Sequence, residues 1–143
     1  MKPNKSIDDI QNEIIDEFAV YDEWLDKYEY LIDLGRDLPL AGEADKTSAN
    51  LIEGCQSRVW LTCTRDEYGC LHFAADSDAI ITKGLISLLI RVFDGRQPQE
   101  ILDADLHFID TIGLKENLSP TRAGGLAAMI KRIRTYAAEF LEG

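Results

Sequence analysis

Between Asn50 and Ala74 the chain gives up helical periodicity. On either side, apolar residues recur every three or four positions; inside this window they come in short β-branched or aromatic runs, Leu51-Ile52, Val59 to Thr64 and Leu71 to Ala74, set apart by turn residues. A single small block of strands bracketed by helices restricts the chain to an α+β architecture. Helices then cover one face of an antiparallel sheet in two layers. The three runs predict three strands, with Asp66 to Gly69 as the hairpin turn. Val59, Leu61 and Cys63 share a parity, which predicts a core position for Cys63. The 143 residues are the length of one ordinary domain and bury a core without metal or disulfide support, so residues 1–143 are read as one unit.

The flanks divide into helices. Ser6 precedes Ile7, Ile10, Ile14 and Phe18, with Asp8 and Asp9 where the helix dipole favours negative charge, and predicts a helix over about 7–18. Trp24, Tyr28, Leu31 and Ile32 form the stripe of a second helix, which Gly35 is expected to end as a left-handed cap. Residues 36–49 show no period and read as an irregular, mobile connection. After the strands, Asp76-Ser77-Asp78 reads as the cap and acidic first turn of a helix carrying Ile80, Ile81, Leu85, Leu88, Leu89 and Val92, ended by Gly95. Pro98 opens a short helix through Ile101 and Leu102, and another holds Leu106, Phe108 and Ile109 before Gly113. Ser119-Pro120 starts the last helix, with Leu126, Met129, Ile130, Ile133, Tyr136, Ala137, Phe140 and Leu141 on its packing face.

At the first corner of the sheet lies LIEGCQSRVW, Leu51 to Trp60. Gly54 admits dihedrals closed to other residues, and Gln56 and Ser57 can hydrogen-bond locally, so Cys55 stands on a turn before the strand resumes at Val59. A cysteine so placed is either a reactive thiol in a shallow pocket or a small buried hydrophobe, and the residues alone leave the two readings level. Arg122 falls in the first turn of the last helix, where the dipole disfavours a cation by a few tenths to about 1 kcal/mol. Either a salt bridge on an acidic surface compensates it, or it stands near Cys55 and steadies the thiolate. Gly124 and Gly125 each weaken a helix by up to about 1 kcal/mol and predict either close approach of another backbone, with the cysteine loop as the candidate neighbour, or a weakened first turn.

The net charge of -11 argues against nucleic-acid binding, which needs a basic face. The start MKPNKSIDDIQNEI has no apolar leader core, and no run of roughly 18 apolar residues occurs anywhere, so neither secretion nor membrane insertion is expected and the cytoplasm is the expected compartment. Three cysteines, an odd count without a C-x-x-C pair, argue against a disulfide framework. A zinc site from Cys55, Cys63, Cys70 and His72 would lack the usual ligand clustering. A cysteine hydrolase or peroxidase would need a base from His72 or His107, and neither lies in a recognisable signature; His107 reads as a surface or helix-packing residue.

GCQSRVW, Gly54 to Trp60, resembles the active-site signature of the SufE family, sulfur-acceptor proteins of iron-sulfur cluster assembly. WLDKYEYLIDLGRDLP (24–39), DSDAIITKGLISLL (76–89) and LSPTRAGGLAAMIKRIR (118–134) are similar to family blocks in the same order. The resemblance implies the SufE fold, similar to that of IscU-type iron-sulfur scaffolds. It implies a sulfur-transfer partner and activator of a cysteine desulfurase rather than an enzyme, with Cys55 taking the persulfide sulfur. Arg122, in the Ser119-Pro120-Thr121-Arg122 block, then belongs to the active-site neighbourhood. Gly54, Gln56, Ser57 and Asp78 belong to the loop and its partner contacts, with Asp78 close to the loop and affecting its freedom. The implied partners are a SufS-like desulfurase and an iron-sulfur scaffold. No cofactor is expected on this chain, because the pyridoxal phosphate is the desulfurase's. An iron-sulfur scaffold or metal-binding module is the remaining alternative, against which the missing three-cysteine ligand pattern weighs.

Overall fold

The computed structural model describes residues 5–142; Met1 to Asn4, part of the stretch read for a leader, lie outside the described residues. Helix α1 (Ile7–Ala19) opens with a full capping box in which Ser6 Oγ accepts from Asp9 N while the Asp9 carboxylate accepts from Ser6 N. Its inward stripe holds Ile7, Ile14 and Phe18. Gln11, passed over in the sequence, is also fully buried, donating to Asp105 O and accepting from Phe108 N; both ends of its amide are matched, as burial requires.

Helix α2 (Trp24–Gly35) includes Gly35, contrary to its expected role as a left-handed cap; the C-cap is Arg36 in right-handed conformation. The glycine is needed for space. A Cβ on Gly35 would stand 2.9 Å from Gly84 N, and one on Gly84 would stand 2.3 Å from Leu31 O, so α2 and α3 (Ile80–Phe93) meet backbone to backbone.

The sheet has two strands rather than the expected three. β1 (Val59–Arg65) and β2 (Leu71–Ser77) pair antiparallel from Val59↔Ser77 to Arg65↔Leu71. The Leu51-Ile52 run contributes only a one-residue bridge, Leu51↔Trp60, held by Ile52 N to Val59 O and Leu61 N to Asn50 O. The chain turns away at once into the cysteine loop, which prevents the ladder from extending. Single bridges also cover the other edge, Leu40↔Ala75 and Leu71↔Arg96. The 36–49 connection is thus stitched to β2 through Pro39 and Ala41, and carries one 3-10 turn at Glu43–Asp45.

Val59, Leu61, Leu71, Phe73 and Ala75 form the buried face of the sheet. α3 lies on β2 and against α2 and α7 (Pro120–Glu142). Val59, Leu61, Leu71 and Phe73 each add about 1.5–3 kcal/mol by leaving water. Cys63 sits on that face, half-buried rather than enclosed. Burial, with the charges of Asp94 and Glu139, pushes its thiol up to about 12. The short helices α4 (Pro98–Asp103), α5 (His107–Thr111) and α6 (Leu114–Asn117) close the far side; α6 was not foreseen, and half-buried His107 is the first residue of α5. On α7 the expected face is buried at Leu126, Met129, Ile133 and Ala137, whereas Leu141 is exposed. Among the described residues, no helix is long and apolar enough to cross a membrane.

Candidate functional site

Cys55 stands at a corner whose two roots are fixed. On the incoming side, Arg132 of α7 donates to Ala49 O and Ile52 N donates to Val59 O at 2.8 Å, and beyond the loop Tyr136 donates to Leu61 O of β1 at 2.9 Å. On the outgoing side, Ser77 Oγ donates to Arg58 O at 2.8 Å, and Arg58 N donates to Asp78 Oδ1 at 3.0 Å. The expected cap from Asp76-Ser77-Asp78 is therefore corrected. The N-cap of α3 is Ala79 without a side-chain bond, and its first turn has no acidic residue. Asp78 turns back to the cysteine loop, while Asp76 pairs with Lys46 at 2.8 Å and Lys83 at 3.3 Å.

Between these roots the tip, residues 53–57, makes one hydrogen bond among the described residues: Cys55 Sγ to Gly125 O, at 3.6 Å. Gly54 adopts φ +91°, the left-handed region that only glycine enters cheaply, and this turns Cys55 inward onto α7. Gly125 is the α7 residue that meets the loop, since a Cβ there would lie 3.5 Å from Cys55 Sγ; a Cβ on Gly124, expected to do the same, would meet nothing within 4 Å among the described residues. The side chains of Gln56 and Ser57 make no hydrogen bond among the described residues, so their expected local bonds are absent and the tip is lightly anchored.

The half-buried thiol faces a cavity of about 240 Å³ shared with Gln56, Ser57, Thr82, Leu85, Arg122 and Met129. Burial pushes the Cys55 thiol above its ordinary value. Arg122 reaches the rim of the same cavity. Its backbone N–H is capped by Ser119 Oγ at 3.3 Å, and its exposed guanidinium has no ion pair or hydrogen bond among the described residues, so the surface salt bridge that could have compensated it is not formed. Thr82 was missed in the sequence, where it reads as one more position on the stripe between Ile81 and Leu85; a hydroxyl in the first turn of an apolar helix is the only signal that could have marked it.

His72 lies away from this site. Its Nε2 meets Asp66 Oδ2 at 2.7 Å and its Nδ1 meets Asp94 Oδ2 at 3.2 Å, which ties the hairpin turn to the end of α3. Cys70 is buried beneath that turn. Among the described residues, no three His, Cys, Asp or Glu side chains stand close enough to hold a metal ion.

The SufE domain model, described as an Fe-S metabolism associated domain, matches residues 12–137. An uncharacterised SufE-like protein of Rhizobium meliloti (strain 1021) is 45% identical over 130 residues, covering 88% of this chain and 93% of its own length. A second, from Rhizobium etli, is 41% identical over 130 residues, 88% of each chain. The solution structure of a hypothetical protein from Thermus thermophilus superposes over 100% of both chains with a TM-score of 0.76 at 19% identity, a likeness of fold. A domain match that runs from α1 into the last turns of α7, carried by relatives that share the chain almost end to end, means that this chain belongs to the SufE family, whose domain is associated with iron-sulfur metabolism.

Proposed function

We propose that the chain is a sulfur acceptor and carrier: Cys55 takes the outer sulfur from the persulfide of a SufS-like cysteine desulfurase, which speeds that enzyme's turnover, and passes it on toward an iron-sulfur scaffold in the cytoplasm. The observation that carries this reading is the placement of Cys55 at the tip of a loop with firm roots and a light tip, its thiol turned into a small cavity. A carrier needs a sulfur that is shielded from water and oxidant at rest and yet free to meet a partner's sulfur.

In the transfer step, the Cys55 thiol first gives its proton to solvent or to a partner base. The thiolate then attacks the outer sulfur of the desulfurase persulfide; the Cys55 S–S bond forms, the desulfurase S–S bond breaks, and the desulfurase cysteine leaves as a thiolate. No external oxidant enters, and sulfane sulfur only changes owner. Burial disfavours the attacking thiolate in the resting chain, so the step asks for compensation. The unpaired Arg122 guanidinium at the cavity rim is the group of this chain suited to supply it. The lining brings no histidine or carboxylate to Cys55, whereas a hydrolytic cysteine needs a base within hydrogen-bond reach. The pyridoxal chemistry belongs to the desulfurase.

The test is desulfurase turnover with Cys55→Ser. A hydroxyl cannot carry sulfane sulfur, so stimulation is expected to vanish with the thermal midpoint unchanged. Full stimulation by the folded variant would refute the reading.

A further inference from the structure

The mouth of the Cys55 cavity lies between two helix starts, Thr82 in the first turn of α3 and Ser119, Thr121 and Arg122 at the start of α7. α3 has 14 residues and α7 has 23, so both carry full end charge. The start of α3 has no side-chain cap, which leaves its first-turn N–H groups without the usual oxygen.

Thr82 adds a second, independent observation. Its residue is only 6% exposed, it lines the cavity together with Leu85 one turn on, and its hydroxyl has no hydrogen-bond partner among the described residues. Helical threonines ordinarily give that hydroxyl to the carbonyl four residues back, as Thr111 and Thr135 do here. Thr82 is buried while its hydroxyl opens on the cavity, so its available partner is whatever the cavity holds.

We propose that Thr82 and the open start of α3 form the seat for the second sulfur of a Cys55 persulfide. This rests on the sulfur-carrier reading and adds to it a positioning residue and a bound state. A persulfide is a stronger acid than its parent thiol, so the added sulfur carries negative charge at neutral pH. The Thr82 hydroxyl donates to that sulfur, the α3 N-terminus and Arg122 supply positive potential, and the glycine at 125 leaves open the space beside Cys55 Sγ into which the S–S bond turns. The resting cavity thus suits the loaded state of the carrier, in which the Thr82 hydroxyl faces the added sulfur.

The experiment needs no desulfurase. Wild type, Thr82→Val and Thr82→Ser chains are treated with inorganic polysulfide. The Cys55 thiolate attacks a terminal sulfur, one S–S bond forms, one breaks, and the shortened polysulfide leaves as an anion. After removal of the reagent, the persulfide on the Cys55 peptide is followed by alkylation and mass spectrometry, with Cys63 and Cys70 as internal controls. The persulfide should decay roughly tenfold faster in Thr82→Val, the scale of one lost hydrogen bond to a charged group, and near the wild-type rate in Thr82→Ser. Alkylation of the unloaded Cys55 should be the same in all three. The thermal midpoint of Thr82→Val should not fall, because the hydroxyl it removes has no partner. Equal lifetimes in wild type and Thr82→Val would overturn the proposal, as would decay in Thr82→Ser as fast as in Thr82→Val, or failure of polysulfide to load Cys55. A desulfurase that fails to load wild-type Cys55 would instead refute the carrier reading and leave this result standing.

Discussion

Alanine at position 54 places strain on the cysteine loop and almost nowhere else. Gly54 holds φ +91°, and a side chain in left-handed backbone costs about 1–2 kcal/mol. The new Cβ would also meet Ala128 Cβ at 3.3 Å, a contact that α7 relieves only by shifting. Both penalties apply to the closed loop, whereas an outward loop is free to relax its torsion. About 1.4 kcal/mol placed on the closed form alone changes the closed-to-open ratio tenfold. Gly54→Ala is therefore expected to lose about 1–2 kcal/mol in urea unfolding and to alkylate at Cys55 up to about tenfold faster, measured on the Cys55 peptide with iodoacetamide. The two roots, at Ala49–Ile52 and at Arg58, should keep their hydrogen-exchange protection. The same loss of stability with an unchanged alkylation rate would refute the reasoning, because Cys55 would then not depend on loop opening. Proline is not an informative substitute here, since its fixed negative φ excludes the observed turn and would disrupt the loop rather than stiffen it.

Gly84→Ala should cost about 3 kcal/mol or more in thermal or urea unfolding, because its Cβ would stand 2.3 Å from Leu31 O and 2.8 Å from Leu31 Cγ, so α2 and α3 must separate; near-wild-type stability would contradict that packing. Arg122→Ala should slow sulfur acceptance several-fold with little change in affinity for the desulfurase, and should move the alkylation profile of Cys55 to higher pH; superimposable profiles would remove Arg122 from the site. The Asp66–His72–Asp94 cluster predicts a stability profile with a defined sign. The hydrogen bond to Asp66, then that to Asp94, raises the His72 pKa, so its contribution is complete below the usual histidine value of 6.5 and is lost as pH rises through the raised one. The His72 hydrogen bond holds Asp66 down to about 2, so that contribution is present above the usual 3.8 and is lost as pH falls toward 2. The thermal midpoint of wild type relative to His72→Asn should be highest between these usual values, and parallel profiles would show the cluster to be inert.

The fold was legible wherever one local rule governed. The capping box at Ser6, the hairpin turn at Asp66 to Gly69, the stripe of α3 and the Ser119-Pro120 start of α7 all follow from neighbours in sequence. Long-range contacts defeated the reading elsewhere. Gly35 looks like a cap in sequence, and only the facing Gly84 shows that it is needed for space. Leu51 and Ile52 have strand character, but the turn into the cysteine loop stops their ladder after one bridge. Asp78 has the composition of a helix cap, yet its partner is Arg58, 20 residues earlier. At the site, the loop position of Cys55 and the approach of Gly125 could be anticipated, since a glycine pair early in a helix asks for a neighbour. Thr82 could not, because in sequence its hydroxyl does not differ from one bonded to its own helix.

The central claim, that Cys55 receives sulfur from a desulfurase, is tested most directly by mass spectrometry of the intact chain and its cysteine peptides after incubation with a SufS-like desulfurase and free cysteine. The account predicts the gain of one sulfur, located on the Cys55 peptide, absent from the Cys63 and Cys70 peptides, and lost on treatment with a reducing thiol. A chain that gains no sulfur while the desulfurase turns over, or that gains it on Cys63 or Cys70, would contradict it.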